Sequence, residues 1–308
     1  MELVTNRELM QKAFREGYAV GAFNINNMEF LQAVAGAAGE EKSPAIIAVS
    51  EGAIKYAGFD VLVGMVRTIA SMTSAPMSLH LDHGKDPAVI RQCIEGGFTS
   101  VMIDASDKAF AENVRVTKSV VQAAGARGVS VEAELGRLAG IEDAVSVAER
   151  DALLTDPAQA ADFVRQTGVD SLAVSIGTSH GAYKFKGESV LAIDRVREIR
   201  DMIGIPLVLH GASGVSQATV SKAAQYGAVL GKPAGVPDDS IREAIRFGVA
   251  KVNIDTDMRL AFMASVRETL VTKASEFDPR KILGPARDAI RDVVKGKMRL
   301  FGSSGRAA

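Results

Sequence analysis

The sequence predicts an α/β protein: a single (β/α)8 TIM barrel with extra N-terminal and C-terminal helices. Two observations carry this. Short apolar, β-branched runs alternate with segments of helical periodicity along most of the chain, in about eight units. Nothing that reads as a linker, repeat, charge block or low-complexity stretch divides residues 1–308 into two domains. Strands separated by whole helices pair in parallel through right-handed crossovers, and about eight such units suit a closed barrel better than an open doubly wound sheet. A chain of 308 residues is what such a barrel with added helices needs.

The elements follow in order. Thr5-x-x-Glu8 is a capping box, with Val4 and Leu9 placed as a hydrophobic staple, and it opens the first helix. Strands are expected at 19–23 (AVGAF), 45–49 (AIIAV), 77–81 (MSLHL), 99–103 (TSVMI), 129–133 (VSVEA), 170–175 (DSLAVS), 206–209 (PLVL) and 249–254 (VAKVNI). Asp86-Pro87 sets a cap and a first-turn proline before Val89, Ile90, Cys93 and Ile94, and Gly96-Gly97 ends that helix. Asp156-Pro157 opens another helix, closed by Gly168. Residues 226–248 look like an insertion, and 256–308 like helices appended after the last strand.

Composition excludes several classes of function. Thirty-six basic against thirty-seven acidic side chains leave a net charge of -1, so there is no global attraction to nucleic acid or to an anionic membrane. Any anion site must be local. Cys93 is the single cysteine, which rules out an internal disulfide and suits a reducing compartment. The start of the chain lacks a basic-then-apolar signal pattern, and no apolar run approaches the ~18 residues of a membrane span. A soluble, cytoplasmic protein is the expectation.

A barrel of this kind carries its active site at the C-terminal ends of the strands. Those ends read Asn24, Ser50, Asp82-His83, Asp104, Glu134, Gly177 leading to His180, His210-Gly211, and Asn253-Ile254-Asp255. Ser50 and Asp104 alone could be helix caps. Histidine is a less ordinary cap, and three of the four histidines sit at or just past strand ends. His83, His180 and His210 come from separate strands that point to one mouth, and three neutral imidazoles suit zinc with an open position for substrate. No short ligand motif fixes this set. His80, inside its strand, reads as a structural histidine or one behind the site. Asp104 and Glu134 could bind another cation, accept hydrogen bonds from ligands, or simply line the mouth.

The turns His210-Gly-Ala-Ser-Gly214 and Gly177-Thr-Ser-His-Gly181, the latter followed by Lys184, put small residues after strands, where backbone N–H groups can approach a phosphate. The segment 135–155 shows no clean helical stripe and contains Glu142 and Asp143. It reads equally as a solvated excursion or as a moving cover that brings in a carboxylate.

Asp82-His83-Gly84, Glu132-Ala-Glu134-Leu-Gly136, Gly177-Thr-Ser-His-Gly181, His210-Gly-Ala-Ser213 and Asn253-Ile-Asp-Thr-Asp257 together resemble the motif set of class II fructose-bisphosphate and tagatose-bisphosphate aldolases. Gly21-Ala-Phe-Asn24 and Asp278-Pro-Arg280 extend the match over essentially the whole chain. The resemblance implies a catalytic zinc on His83, His180 and His210. Asp104 and Glu134 would serve a second divalent metal position, and the family leaves room for a monovalent cation. Asp82 would be the acid/base for the C4 hydroxyl, and Glu142 would take the dihydroxyacetone-phosphate proton. Asn24, Gly181, Lys184, Gly211, Ala212, Ser213, Asn253, Ile254, Asp255 and Thr256 would bind the sugar phosphate, with Ser50 assisting. Arg280 would reach the distal phosphate in a neighbouring subunit of a homodimer or homotetramer. Alanine at 212 departs from a common family residue, which a backbone contact tolerates.

The chemistry suits these roles. Cleaving a C–C bond beside a ketone leaves negative charge on an enediolate, which a metal Lewis acid stabilises. Two carboxylates then move the two protons, each contributing ~10²–10⁴-fold. Three rivals remain. A tagatose-bisphosphate aldolase shares the chemistry, but the first aspartate of its last motif is usually a small residue, unlike Asp255. An imine-forming aldolase would need Lys251 as nucleophile. A non-catalytic phosphate-binding barrel leaves the histidines and Glu142 without purpose.

Overall fold

The computed structural model describes residues 2–136, 139–142, 145–147, 154–180, 191–230 and 235–307, with only the backbone described at 139–142, 145–147, 179 and 180. Its strands are β1 (Val20–Asn24), β2 (Ala45–Ser50), β3 (Met77–Gly84), β4 (Ser100–Ile103), β5 (Ser130–Leu135), β6 (Ala139–Glu142), β7 (Val145–Val147), β8 (Ser171–Val174), β9 (Ser179–His180), β10 (Leu207–Leu209) and β11 (Val249–Ile254). Eight of them close a parallel barrel in the order β1-β11-β10-β8-β5-β4-β3-β2. All eight expected strands are there, and β3 runs on to Gly84. The other three form a small sheet, β7-β6-β9, in which Gly140 pairs with His180.

β3 shows why the barrel forms. Successive side chains of a strand alternate between its two faces. Met77, Leu79 and Leu81 belong to the core between strands and helices. Ser78, His80 and Asp82 turn into the lumen, where Ser78 meets Asn6, His80 meets Ser100, and Asp82 meets Asn24 and Asn253. The outer face is a hydrocarbon layer. The inner face is apolar near the bottom (Val20, Ile46, Val208) and ionisable towards the mouth.

The helix Asn6–Glu16 stops the bottom of the barrel, with Leu9, Met10 and Ala13 packed against the lumen residues. Its capping box is formed: Thr5 Oγ1 accepts from the Glu8 N–H at 3.2 Å, and Glu8 Oε2 accepts from the Thr5 N–H at 2.8 Å. Arg7 anchors it through two hydrogen bonds to Asp170, whose Oδ2 also accepts from the Val131 N–H at the start of β5. The helices Pro87–Gly96 and Pro157–Thr167 start on Asp86 and Asp156 caps and end on left-handed Gly97 and Gly168, as expected.

The reading of 226–248 as an insertion needs correction. The helix Asp238–Arg246 lies within that stretch and is the ring helix leading into β11, packed on β11 and on the helix Ile193–Ile203. Its Ile241, Ala244 and Ile245 are buried, and each isoleucine contributes ~1.5–3 kcal/mol by leaving water. The extra helix is Gln217–Gln225, which packs on Thr256–Thr272. After β11 the chain makes Thr256–Thr272 and then Pro279–Leu300, which lies on β1 and on the helix Met28–Glu41. Among the described residues no helix is long and apolar enough to cross a membrane.

Candidate active site

Asp82, His83 and Gly84 end β3 at a register irregularity, and His83 takes a left-handed backbone, φ 47°. An L-residue adopts that region at a cost of order 1 kcal/mol. Gly84 is required beside it, because a Cβ there would sit 2.6 Å from the Met102 carbonyl oxygen. The turn swings the His83 ring over the mouth, 4.5 Å centroid to centroid from His210, which follows β10.

Carboxylates surround this pair. His83 Nδ1 lies 3.1 Å from Asp104 Oδ2 and 3.7 Å from Glu134 Oε2. Burial alone would lower the His83 pKa, but the Asp104 hydrogen bond and the charges of Asp82 and Glu134 outweigh it and push it up to about 10. Burial, reinforced by the Asp104 charge, drives Glu134 well above the usual carboxylate range. Asp104 goes the other way: burial opposes ionisation, yet the contact with His83 holds it low. The pocket therefore stabilises positive charge strongly. Donor atoms of Asp82, His83 and His210 lie within 4.8 Å of one another, and so do those of His83, Asp104 and Glu134. Imidazole and carboxylate donors converging on a cation-seeking pocket fit a divalent metal.

Asp82 is held from two sides. Asn24 Nδ2 donates to Oδ2 at 2.8 Å and Asn253 Nδ2 donates to Oδ1 at 2.9 Å. Burial opposes its ionisation, but His83, His210 and Lys251 keep the carboxyl well below its ordinary range. Asn24 and Asn253, expected as substrate binders, thus also orient this carboxylate.

Beneath the mouth His80 lies behind the site, as expected, but it stands beside a Glu132–Lys251 pair that the sequence reading missed. Glu132, Lys251 and His80 are each at most 1% exposed. Lys251 Nζ is 2.9 Å from Glu132 Oε2, and His210 Nε2 is 2.9 Å from Glu132 Oε1. Burial opposes the Glu132 charge, but Lys251 and His210 bring its pKa down to about 2. Burial, aided by Lys251, lowers His80 to about 3, and burial with the nearby His83 lowers His210. Both are neutral. A lysine inside the apolar run VAKVNI was the available signal, as was the two-residue spacing of Glu132 and Glu134 on one face of β5.

The turn after β10 is braced from behind. Asp257 accepts from the Gly214 N–H at 2.9 Å and the Val215 N–H at 2.7 Å, while Lys297 neutralises it at 3.0 Å. Gly211 is left-handed (φ 61°), and Ala212 and Ser213 are buried. Ala212 and Ile254 send their side chains into the hydrocarbon core, so only their backbones are suited to meet a ligand. Asp255 and Thr256 start the helix Thr256–Thr272 at the mouth, and Asp255 pairs with Arg259 at 2.7 Å. Ser50 caps the helix Glu51–Ala57 by accepting from the Ala53 N–H at 3.2 Å. The Arg280 side chain is 89% exposed, and among the described residues its ion pair is the local one with Asp278.

Some expected residues fall elsewhere. Gly181, Lys184 and Asp143 lie outside the described residues, and so do the side chains of His180 and Glu142. The backbones of His180 and Glu142 belong to β9 and β6 of the small sheet. The segment 135–155 is therefore neither helix nor bare loop over its described part: β6 and β7 form a short hairpin, Glu142 opposite Val145.

Residues 4–306 match the family model described as "Fructose-bisphosphate aldolase class-II". A fructose-bisphosphate aldolase of Thermus caldophilus is 55% identical over 305 residues, covering 99% of this chain and 100% of that protein. One from Helicobacter pylori strain 26695 is 49% identical, with 99% of each covered. Among solved structures, the YdjI aldolase from Escherichia coli K12 superposes with a TM-score of 0.82 at 35% identity, covering 99% of this chain and 100% of that one.

Proposed function

The chain belongs to the class II fructose-bisphosphate aldolase family, and on that footing we propose that it cleaves fructose 1,6-bisphosphate reversibly to dihydroxyacetone phosphate and glyceraldehyde 3-phosphate. The observation that carries the reading is Asp82, held by Asn24 and Asn253 beside His83 and His210 at the barrel mouth.

In this reading Asp82 accepts the C4 hydroxyl proton as the C3–C4 bond breaks and returns it to the aldehyde oxygen in the reverse direction. The two asparagine amides keep both its oxygens aimed at the site. His83 and His210, with His180, would hold the metal, and zinc suits three imidazoles. Bound there, it supplies a Lewis acid for the charge that cleavage leaves on the ketone half. Asp104 and Glu134 with His83 suit a second divalent cation, and a monovalent cation is compatible. Glu142 is the base for the dihydroxyacetone-phosphate carbon.

The backbones of Gly181, Gly211, Ala212, Ser213 and Asn253 to Thr256 bind the proximal phosphate, with Lys184 and Ser50 assisting. Arg280 turns outward to the distal phosphate in a neighbouring subunit of a homodimer or homotetramer. Substrates this highly charged do not cross membranes unaided, which argues for work in the cytoplasm.

A coupled aldolase assay before and after exhaustive chelation tests the reading. Activity should vanish with EDTA and return with zinc or cobalt. Full activity after chelation, with borohydride inactivation in the presence of substrate, would mean an imine mechanism on a lysine instead. Competition with tagatose 1,6-bisphosphate checks the sugar.

A further inference from the structure

The ion pair of Glu132 and Lys251 has no part in the steps above. Both side chains are sealed in the barrel lumen, at 1% and 0% exposure. Taking two charges out of water costs several kcal/mol per ion, and apolar side chains of similar volume often stabilise a core at least as well. Stability alone is thus a poor reason for this pair.

Its hydrogen bonds dictate where each proton sits. An ammonium can only donate, so His80 Nε2, 3.3 Å from Lys251 Nζ, is an acceptor. His80 therefore carries its hydrogen on Nδ1 and gives it to Ser100 Oγ at 2.9 Å. Lys251 also donates to Glu132 Oε1 at 3.1 Å and stands 2.9 Å from Oε2 as its ion-pair partner. An ionised carboxylate can only accept, so the 2.9 Å contact to His210 Nε2 is an N–H donated by the ring. A neutral imidazole with its hydrogen on Nε2 has its lone pair on Nδ1. That leaves Nδ1 as the His210 atom for the cluster with Asp82 and His83.

We infer that Glu132 and Lys251 are positioning residues for metal loading: Lys251 fixes the Glu132 carboxylate as an acceptor, and Glu132 locks His210 in the one tautomer that can ligate through Nδ1. The inference rests on the reading of His210 as a metal ligand. It gives Lys251 a task other than imine formation, its nitrogen being enclosed by His80 and Glu132. Carboxylates behind ligating histidines typically contribute 10–100-fold to metal affinity.

The test uses the full chain, stripped of metal and titrated with Zn²⁺ against a chromophoric chelator, alongside visible absorption of the Co²⁺ form. Glu132→Gln and Lys251→Met should each weaken Zn²⁺ binding about 10–100-fold and shift the Co²⁺ bands. The double variant removes both charges and keeps the volume, so it should fold well yet stay weakened to the same extent. Wild-type affinity in the double variant would make the pair structural and overturn the inference, as would wild-type affinity in Glu132→Gln.

His210→Ala separates the two levels. Unchanged metal affinity there overturns the ligand reading itself. Lost affinity there, with Glu132→Gln and the double variant binding normally, overturns only the positioning role. A readout on the unmodified, zinc-loaded protein needs no variant to fold: with only four histidines, ¹⁵N NMR resolves the His210 tautomer. Hydrogen on Nε2 supports the inference, and hydrogen on Nδ1 overturns it.

Discussion

Asn24, the last residue of β1, donates its side-chain amide to Asp82 Oδ2 at 2.8 Å from two strands away. With Asn253 on the opposite oxygen, it leaves that carboxylate little freedom to rotate. Hydrogen bonds to a charged group contribute ~1.5–3 kcal/mol each, so Asn24→Ala and Asn253→Ala should each lower kcat roughly 10–10²-fold. The two losses should not add, because one remaining amide still limits rotation. Steady-state kinetics on both single variants and the double decides this. A pure rise in KM would return the asparagines to substrate binding alone.

Asp82 and Glu142 are assigned different protons, and partial reactions separate them. Asp82→Ala should block cleavage yet still exchange the dihydroxyacetone-phosphate proton with solvent. Glu142→Ala should bind metal and substrate but lose that exchange by about 10²-fold or more. Deuterium incorporation followed by NMR reads both. Wild-type exchange in the Glu142 variant transfers the role of carbon base to Asp143 or Glu134.

Arg280→Ala should weaken bisphosphate cleavage while leaving dihydroxyacetone-phosphate binding nearly intact, because a guanidinium that exposed can clamp only the distal phosphate. Stability should stay within about 0.5 kcal/mol, as for other surface changes. Equal loss of affinity for both ligands assigns Arg280 to the proximal phosphate or to the fold.

Cys93, on the buried face of the helix Pro87–Gly96, lies in the hydrophobic core of the protein, and burial pushes its thiol up to about 12. The thiolate is the reactive form. It becomes populated only as pH rises towards that value, so thiol reagents at pH 8 should leave the native chain unlabelled and label it fully in denaturant. Fast labelling of native protein would place the thiol within reach of solvent.

The sequence made the barrel legible because each strand is short, apolar and bounded by its own caps. The lumen-facing alternation of Ser78, His80 and Asp82 could be read off β3 alone. Asp238–Arg246 was obscured by the glycine- and proline-rich run before it, although Ile241, Ala244 and Ile245 have helical spacing. The β6–β9 pairing has no local determinant, since Gly140 and His180 lie far apart in the sequence and meet only in the folded chain. The Glu132–Lys251 pair was hidden for a related reason. A lone lysine in an apolar strand acquires meaning only with the partner that the barrel brings to it from β5.

The two ends of the barrel also answer to different demands. Arg7, Asp170 and the Val131 N–H tie the stopper helix to the bottom, while every proposed catalytic group described lies at the opposite rim. Heat tolerance and turnover can therefore be engineered separately. Substitutions around residues 7 and 170 offer a thermostat that leaves the working rim of the enzyme alone.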